Sequence, residues 1–383
     1  MLRDVNILII HHFLFMPPGK ERAAIKILFT FFVPSGGVET LNRQRCTVLT
    51  HSGIECHLLY YQTGAGMQNL MQKNDIPVFI APSDSEILKI VQHNLYDAII
   101  VSTDYHLLPK LRQAGYSGAL IYESQGFATR EEAEITITSA APVLQSCCDG
   151  VLVPTTAYLV ELFTRICPEL RLFSIPNVLD TSTFHYVPNI PPSDPVIAWV
   201  GRLEPNKNWK HFLSISLLLL QRFPNLKLWM FYDDTLSQPE DRDQFEHWVN
   251  VYALSDMLKR LTNIPHYRMP HYYSMIGDSG GFLLSTSLLE GFGYAAAEAI
   301  ICRCPVLSTD SDGVRAFIRH NETGKFYVHG NLDQAAAEGA DLLTNYELRQ
   351  HIRGQGRDIV AALLNADSYV HSFRSMLHSV GVG

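Results

Sequence analysis

An excess of positive charge is missing from this sequence, and its absence excludes the simplest nucleic-acid-binding proteins. The chain of 383 residues carries 30 lysine and arginine residues against 38 aspartate and glutamate residues, for a net charge of −8. Binding along a phosphate backbone depends on clustered positive charge, and neither half of the chain has such an excess. The same balance gives no support for docking on an anionic membrane.

Cysteine and long apolar runs are also scarce. The seven cysteines are odd in number and lie in mostly apolar surroundings, unlike a disulfide framework, and Cys302-Arg-Cys304 lacks the spacing of a zinc site. The apolar stretch at residues 5–16 is too short to span a bilayer, so we expect residues 1–24 to form an N-terminal extension. We therefore expect a cytoplasmic protein, with peripheral contact at the inner face of the membrane as an alternative that the charge does not support.

What the sequence has instead is a regular alternation of strand-like and helix-like segments. With 47% hydrophobic residues, a chain of this length can form two domains, each with its own core. The alternation predicts βαβ units and parallel sheets in both halves, and a proline-rich connector separates the halves. We therefore predict an α/β protein with two Rossmann-like, doubly wound domains, at residues 25–190 and 195–365, which face each other across a cleft. A C-terminal helix at residues 366–383 is expected to cross back to the first domain.

The individual elements follow from apolar runs and from helical periodicity. The predicted strands are 25–33, 54–60, 98–101, 119–122, 150–153 and 172–175 in the first half, and 196–200, 226–231, 281–285 and 305–308 in the second. The predicted helices include 38–52, 209–223, 238–253, 294–302 and 334–343, and the tail at 346–380 has the pattern of one long helix.

The segment Glu290-Gly-Phe-Gly-Tyr-Ala-Ala-Ala-Glu298 is the most informative part of the sequence. A strand-like run precedes it, Gly291 and Gly293 supply a turn, and a helix-forming run follows. Glycine lets the backbone approach a ligand closely, and the free N–H groups of a first helical turn suit a phosphate or diphosphate. Because carboxylates repel phosphate, the two glutamates fit sugar hydroxyls better. A connection with two solvated glutamates is the alternative.

Two further motifs each follow the first strand of one half. Gly36-Gly37 follows that strand in the first half, and Arg202 and Lys207 follow it in the second. Doubly wound sheets bind ligands beyond the carboxyl ends of their strands, so we expect these motifs to meet in a cleft. Solvated surface charge is the alternative for the two cations.

Together with Val200-Gly-Arg-Leu-Glu-Pro-Asn-Lys-Asn208, these segments resemble the family-4 retaining glycosyltransferases of the GT-B fold. Further motifs that carry the resemblance are Asp149-Gly-Val-Leu-Val-Pro154, Ile175-Pro-Asn-Val-Leu-Asp180 with Phe184, Pro305-Val-Leu-Ser308 with Asp312-Gly313, and Asn321-Glu-Thr-Gly324. Each motif is weak alone, and their shared order along the chain makes the match specific.

The resemblance implies a donor site at the matching residues. The implied catalytic residues are Arg202, Lys207 and Glu290, in which the two cations hold the donor diphosphate and the carboxylate holds donor-sugar hydroxyls. The implied donor-binding residues are Gly36, Gly37, Gly291, Phe292, Gly293 and Glu298, and the last of these holds the ribose. No metal or other cofactor is implied, because no Asp-x-Asp motif occurs where metal-dependent transferases need one.

One feature that is common in the family is absent. Many members have a histidine after a middle strand of the first domain, near the acceptor, and the comparable stretch here is Tyr122-Glu-Ser-Gln-Gly126. The candidates for the acceptor side are therefore Glu123, Gln125 and the nearby His106. An unfilled role is the alternative.

The resemblance implies a retaining glycosyltransferase of the hexosyltransferase type. Its expected partners are a nucleotide-diphosphate sugar as donor and a polysaccharide, glycolipid or glycoconjugate hydroxyl as acceptor, with no nucleic acid. The implied reaction is a metal-independent front-face displacement. Two alternatives stay open: a sugar-nucleotide epimerase, and a non-catalytic protein that keeps the donor site.

Overall fold

The protein contains two parallel sheets with buried apolar side chains on both faces. The computed structural model describes residues 24–64, 66–70, 76–127 and 129–383. Residues 1–23 lie outside this part, so the N-terminal extension stays a prediction, as do the domain boundaries. Within the described residues one sheet has seven strands and the other has six. This architecture confirms the predicted α/β fold with two doubly wound sheets.

The strand order in each sheet reverses once, beside the first strand of that sheet. The first sheet contains β1 (Lys26–Phe31), β2 (Glu55–Tyr60), β3 (Val78–Ile80), β4 (Ala98–Ser102), β5 (Ala119–Glu123), β6 (Gly150–Val153) and β7 (Leu172–Ser174). The second contains β8 (Val196–Val200), β9 (Lys227–Tyr232), β10 (Leu258–Thr262), β11 (Phe282–Ser285), β12 (Val306–Thr309) and β13 (Lys325–Tyr327). The orders are β3-β2-β1-β4-β5-β6-β7 and β10-β9-β8-β11-β12-β13.

Helices connect the strands. They are α1 (Gly36–His51), α2 (Met67–Leu70), α3 (Asp84–Asn94), α4 (Leu107–Gln113), α5 (Arg130–Cys147), α6 (Ala157–Ile166), α7 (Trp209–Arg222), α8 (Pro239–Val251), α9 (Met269–Asp278), α10 (Tyr294–Ile301), α11 (Leu332–Thr344), α12 (Tyr346–Leu363) and α13 (Ala366–Ser379). The start of α3 shows how local sequence sets these bounds: Ser83 and Glu86 form a reciprocal capping box, which satisfies backbone donors at the helix start.

Strand β8 shows why the strands have continuous apolar sequences. Val196 and Ala198 pack into one buried cluster, and Ile197 and Trp199 pack into another on the opposite face. Parallel sheets covered on both faces need apolar side chains at every position rather than at alternate positions. The predicted strand at 196–200 is therefore confirmed.

Sequence patterns missed the short strands β3, β10 and β13, which lie at or near sheet edges. In β10 the side chains of Lys259, Arg260 and Thr262 are exposed. An edge strand with a solvated face lacks the apolar run by which the central strands were found.

The predicted single long helix at 346–380 is wrong, because two helices occupy this region. Helix α12 ends at Leu363, and the Asn365 side chain accepts a hydrogen bond from the Ser368 N–H to cap α13. Helix α13 then packs on the first sheet, where Phe373 and Leu377 lie in one buried cluster with Phe29 and Ile100. The C-terminal segment thus covers the sheet formed by the N-terminal half.

The point at which the strand order of the second sheet reverses brings together the loops that carry the predicted donor-site residues. In the second sheet, β8 and β11 are neighbours on either side of the reversal. The loop after β8 carries Arg202 and Lys207, and the loop after β11 carries Glu290. Adjacent loops that diverge at such a point leave a crevice for ligands.

Among the helices described between residues 24 and 383, none combines the length and the apolar character that crossing a bilayer requires.

Candidate active site

A cleft of about 850 Å³ lies beyond the carboxyl ends of both sheets. Every catalytic and donor-binding residue predicted from the sequence lines it. Of the acceptor-side candidates, Gln125 lines the cleft, whereas Glu123 and His106 do not. The structure therefore brings the donor-site residues together, although their roles stay predictions.

An ion pair lies at the second half's side of the cleft. The Lys207 ammonium donates to the Glu290 carboxylate, with Nζ and Oε1 2.6 Å apart. Lys207 lies in a short 3-10 turn after β8, which brings it beside the loop after β11. Arg202 is more exposed and pairs with Glu204, with Nη2 and Oε1 3.0 Å apart. The two cations thus line the same cleft, and each is paired with a carboxylate.

The glycine turn at residues 291–293 is packed directly against the first half. A side chain at Gly291 would overlap the carbonyl oxygen of Gln125, and the Thr156 hydroxyl donates to the Gly291 carbonyl. Gly293 has a φ of +91° immediately before α10, a conformation that favours glycine. Close packing between the halves is thus one reason for glycine here, in addition to the predicted ligand approach.

Glu298 is buried in the first turns of α10 and is held by two side chains. Its residue exposure is 3%. The Oε1 atom lies 2.9 Å from Nε2 of His266, and Oε2 lies 3.4 Å from the Tyr273 hydroxyl, which donates to it. A buried carboxylate needs such partners, and these leave part of it facing the cleft.

The first half reaches across the cleft to His266. Arg43 of α1 lies with Nη2 2.6 Å from Nδ1 of His266, and its Nε donates to Glu39 at 2.9 Å. Burial would lower the pKa of Arg43, but the nearby acidic groups, Glu39 foremost and Glu298 after it, together raise the pKa. The guanidinium therefore stays charged in a buried position. Asn69 also accepts a hydrogen bond from the His266 N–H at 2.8 Å.

The Gly36-Gly37 turn begins α1 opposite the second half. Gly36 has a φ of +78°, and no atom lies within 4 Å of a Cβ placed at either glycine. The neighbouring Ser35 hydroxyl donates to Asp233 at 3.2 Å. The turn is therefore open on its cleft side and is bounded by a carboxylate beyond β9.

The stretch without the family's histidine contains a chain of hydrogen bonds. Glu123 is fully buried at the end of β5, where Arg45 contacts both of its carboxylate oxygens and the Ser102 hydroxyl donates to it at 2.5 Å. Gln125 donates through Nε2 to Glu123 at 3.0 Å and accepts through Oε1 from Asn177 at 2.8 Å. Glu123 thus holds Gln125 in place rather than facing the cleft.

His106, the third acceptor-side candidate, is exposed at the start of α4. Its ring contacts that of Tyr105 in a tilted arrangement, with ring centroids 4.1 Å apart. It does not line the cleft, so this conformation gives it no contact with a bound acceptor.

Two Asp-x-Asp sequences do occur, at Asp241-Arg-Asp243 and at Asp310-Ser-Asp312. Asp310 pairs with Arg315, with Nε and Oδ1 2.6 Å apart, and this hydrogen bond lowers the pKa of Asp310. Asp312 pairs with Arg130 of the first half. Within the described ranges, no group of three or more histidine, cysteine, aspartate or glutamate side chains is arranged to hold a metal ion.

The residues that sequence reasoning missed are His266, Arg43 and Asn177. Asn177 lies inside a motif that carried the resemblance, so its motif was a usable signal. No local pattern marks the other two, because their roles arise only where the two halves meet.

A known protein family matches most of the second half of the chain. Residues 180–359 match the model of the family described as glycosyl transferases, group 1. The predicted donor-site residues of the second half all lie in the matched region: Arg202, Lys207, Glu290, Gly291, Phe292, Gly293 and Glu298.

Curated relatives are distant and cover parts of the chain. A 2-deoxystreptamine N-acetyl-D-glucosaminyltransferase from Niallia circulans is 24% identical over 43% of this chain and 40% of its own length. A poly(ribitol-phosphate) alpha-N-acetylglucosaminyltransferase from Staphylococcus aureus is 21% identical over 60% of this chain and 44% of its own length. The matches thus span less than half of these relatives.

Solved structures match over most of the chain. The Anabaena protein HepE, solved in complex with UDP and glucose, has a TM-score of 0.77 at 16% identity over 93% of this chain and 100% of that chain. Sucrose-phosphate synthase from Thermosynechococcus elongatus has a TM-score of 0.76 at 17% identity over 93% and 98% of the two chains. At these identities the likeness shows the fold, and the predicted GT-B fold is confirmed.

Proposed function

We propose that the protein is a glycosyltransferase that moves a sugar from a nucleotide-diphosphate sugar to a hydroxyl group of a carbohydrate or lipid-linked acceptor. The observation that carries the proposal is the convergence of two cations, a glycine turn at a helix start and two carboxylates in one cleft. Cations and helix N–H groups suit a diphosphate leaving group, and carboxylates suit sugar hydroxyls. The family match of residues 180–359 supports the same conclusion.

The mechanism follows from where charge develops. As the bond between C1 of the donor sugar and the diphosphate oxygen breaks, negative charge grows on the diphosphate, and Arg202 and Lys207 stabilise it. The departing phosphate oxygen takes the proton of the acceptor hydroxyl, whose oxygen bonds to C1 on the same face. This course retains the configuration at C1. Two relatives are named as alpha-transferases, which supports an α-linked product.

In our proposal, groups of the protein supply the positive charge that stabilises the leaving diphosphate. Lys207, Arg202 and the start of α10 line the same cleft, and the cations and the helix N–H groups together offset the charge of a diphosphate. We therefore propose transfer that is independent of a metal ion.

A thermal-shift screen against UDP-, GDP-, ADP- and CMP-sugars, with and without Mg²⁺, tests the donor site. A ligand that binds only the folded protein raises its melting temperature. We expect one nucleoside-diphosphate-sugar class to do so without Mg²⁺. No shift with any donor would contradict the proposal, and a shift only with Mg²⁺ would contradict metal independence.

A second candidate is a nucleotide-sugar-binding protein that does not transfer sugar, and the specific observation that favours it is Gln125. The amide of Gln125 has both its outer atoms engaged by protein groups and does not take up a proton near neutral pH as a histidine does. Incubation with the donor found in the screen and a panel of sugar acceptors separates the two candidates. We expect release of the nucleoside diphosphate and formation of a glycosylated product. Donor binding without either would identify the non-catalytic candidate.

A further inference from the structure

The carboxylate of Glu298 is held by the protein on both oxygens and still has capacity for a ligand. His266 contacts Oε1 at 2.9 Å and Tyr273 contacts Oε2 at 3.4 Å. A carboxylate offers about four lone-pair sites, so each oxygen keeps one further site. The 2′ and 3′ hydroxyls of a ribose supply two adjacent donors. The carboxylate thus fits a ribose diol if its orientation is fixed.

The contact with Arg43 determines which nitrogen of His266 carries hydrogen. A guanidinium group only donates hydrogen bonds, so Nδ1 of His266, 2.6 Å from Nη2 of Arg43, is the acceptor. In the neutral ring the hydrogen therefore lies on Nε2 and is donated to Glu298. The other tautomer would place two acceptors, Nε2 and a carboxylate oxygen, against each other, and the carboxylate would turn away.

Arg43 and His266 belong to opposite halves of the chain. Arg43 lies on α1 and is kept in place by Glu39 at 2.9 Å, while His266 begins the short 3-10 turn that follows β10. Asn69 and Gln68 of α2 also bond to the segment that ends at His266. The preferred tautomer is therefore selected only when the halves are in contact.

We propose that His266 is a positioning residue for Glu298, and that Arg43 from the opposite half selects its tautomer, so that ribose recognition is completed across the cleft. The inference rests on the proposed function, since it assigns a ribose to Glu298. Closure of the cleft and recognition of the nucleotide are then one event. A nucleotide that engages Glu298 favours the closed arrangement because Arg43 selects the tautomer of His266 that donates to Glu298 only in that arrangement.

Two substitutions of His266 separate positioning from folding. In His266→Gln the side-chain amide nitrogen reaches about as far as Nε2 and donates to Glu298. In His266→Asn the amide reaches only as far as Nδ1 and leaves Glu298 without this donor. Tyr267→Ala, at an exposed neighbour in the same turn, is the matched control. Melting temperatures of all variants show whether each is folded.

Titration calorimetry first measures the binding of UDP, GDP, ADP and CMP to the wild type. The nucleotide that binds most tightly, and its 2′-deoxy form, are then titrated into the wild type and each variant. We expect His266→Asn and Arg43→Gln to bind the ribonucleotide about tenfold more weakly, as for loss of about one hydrogen bond to a charged group. Their preference for the ribonucleotide over the deoxynucleotide should fall by a similar factor. His266→Gln should stay within about twofold of wild type in both respects.

The outcomes distinguish the two proposals. If His266→Asn keeps the wild-type preference for the ribonucleotide over the deoxynucleotide, whether or not it binds both more weakly, the positioning role is overturned. The donor site is left intact by that result. A wild type that binds none of the four nucleotides would overturn the proposed function and this inference with it. A His266→Gln variant as weak as His266→Asn would show that the ring itself, and not its Nε2–H donor, is what Glu298 requires.

Discussion

At the scale of single residues, the ion pair between Lys207 and Glu290 sets the charge that this part of the cleft presents to an anionic ligand. We expect Lys207→Ala to lower kcat by about 100-fold or more, because it removes a charge that stabilises the departing diphosphate and leaves the Glu290 carboxylate facing that group. Lys210→Ala is the control, since Lys210 is exposed on α7 and bonds to Gln244 instead. Steady-state kinetics with saturating donor measure the effect. Wild-type turnover in Lys207→Ala would remove its catalytic role.

Glu298 gives a second prediction at this scale. Glu298→Ala should weaken nucleotide-sugar binding by about 10- to 100-fold, the effect of losing hydrogen bonds to a charged group, and it also leaves His266 without its acceptor. Titration calorimetry of the folded variant measures this. An unchanged affinity would end the ribose assignment.

The sequence could locate the donor-site residues because local motifs carry them, and it could not supply their partners. His266 and Arg43 are separated by 223 positions, and nothing nearby in sequence marks either. Glu123 was a candidate for the acceptor side because it lies in the stretch where the resembled family often has a histidine, but Arg45, 78 positions away, holds it in the core. Such pairings depend on packing between distant segments, which a local pattern does not encode.

At the scale of elements, the start of α1 offers a test of ligand approach. Gly37 lies in the first helical turn and a Cβ there would meet no atom within 4 Å. We expect Gly37→Ala to stabilise the free protein by roughly 0.5–1 kcal/mol, because alanine loses less backbone entropy than glycine in a helix. We also expect weaker donor binding, since the methyl group would meet the diphosphate.

A matched control exists for the Gly37 variant. Gly354 in α12 likewise has room for a side chain, because a Cβ there would meet no atom within 4 Å, and it lies outside the cleft. Gly354→Ala should raise the melting temperature without a change in donor affinity. If Gly37→Ala binds donor as the wild type does, the α1 turn does not approach the diphosphate.

Strand β2 carries a buried histidine that predicts a pH response. Burial lowers the pKa of His57 more than Glu55 raises it, and its nitrogens contact the Tyr96 hydroxyl at 2.8 Å and Glu55 at 2.9 Å. The unfolded state then takes up the proton first as the pH falls. The stability contributed by the neutral ring is complete above a pH of about 6.5 and is lost below it.

Melting temperatures between pH 8 and pH 5 test this response. We expect His57→Gln to lose less melting temperature than the wild type between pH 7 and pH 5, because the variant has no ring to protonate. An identical pH profile for both proteins would show that His57 does not contribute.

At the scale of the whole molecule, α13 packs on the sheet formed by the first half of the chain. Phe373 is fully buried against the first sheet, and its ring centroid lies 6.1 Å from that of Phe29. Phe373→Ala should lower the free energy of unfolding by about 3–5 kcal/mol, as for loss of a buried aromatic ring. Chemical denaturation measures the change, and Leu363→Ala, at an exposed position, is the control.

The two-sheet architecture could be predicted from the sequence because it depends on many apolar strands that repeat one signal. The helical periodicity of residues 346–380 does not show the break between α12 and α13, because it continues on both sides of the single asparagine cap at Asn365. Strand β10 was missed because only Leu258 and Leu261 of its five residues are buried, which leaves no continuous apolar run. Regular patterns thus predict the centre of each sheet better than its margins.

The docking of α13 sets an order of events while the chain is being made. The first sheet's last strand, β7, ends at Ser174, whereas the helix that covers its apolar face begins at Ala366. At the usual rate of translation the interval is about 10–40 s. Throughout that time the part of the cluster around Phe29 that Phe373 and Leu377 later cover lacks that cover, and we expect the emerging chain to bind chaperones that shield apolar surface at the ribosome.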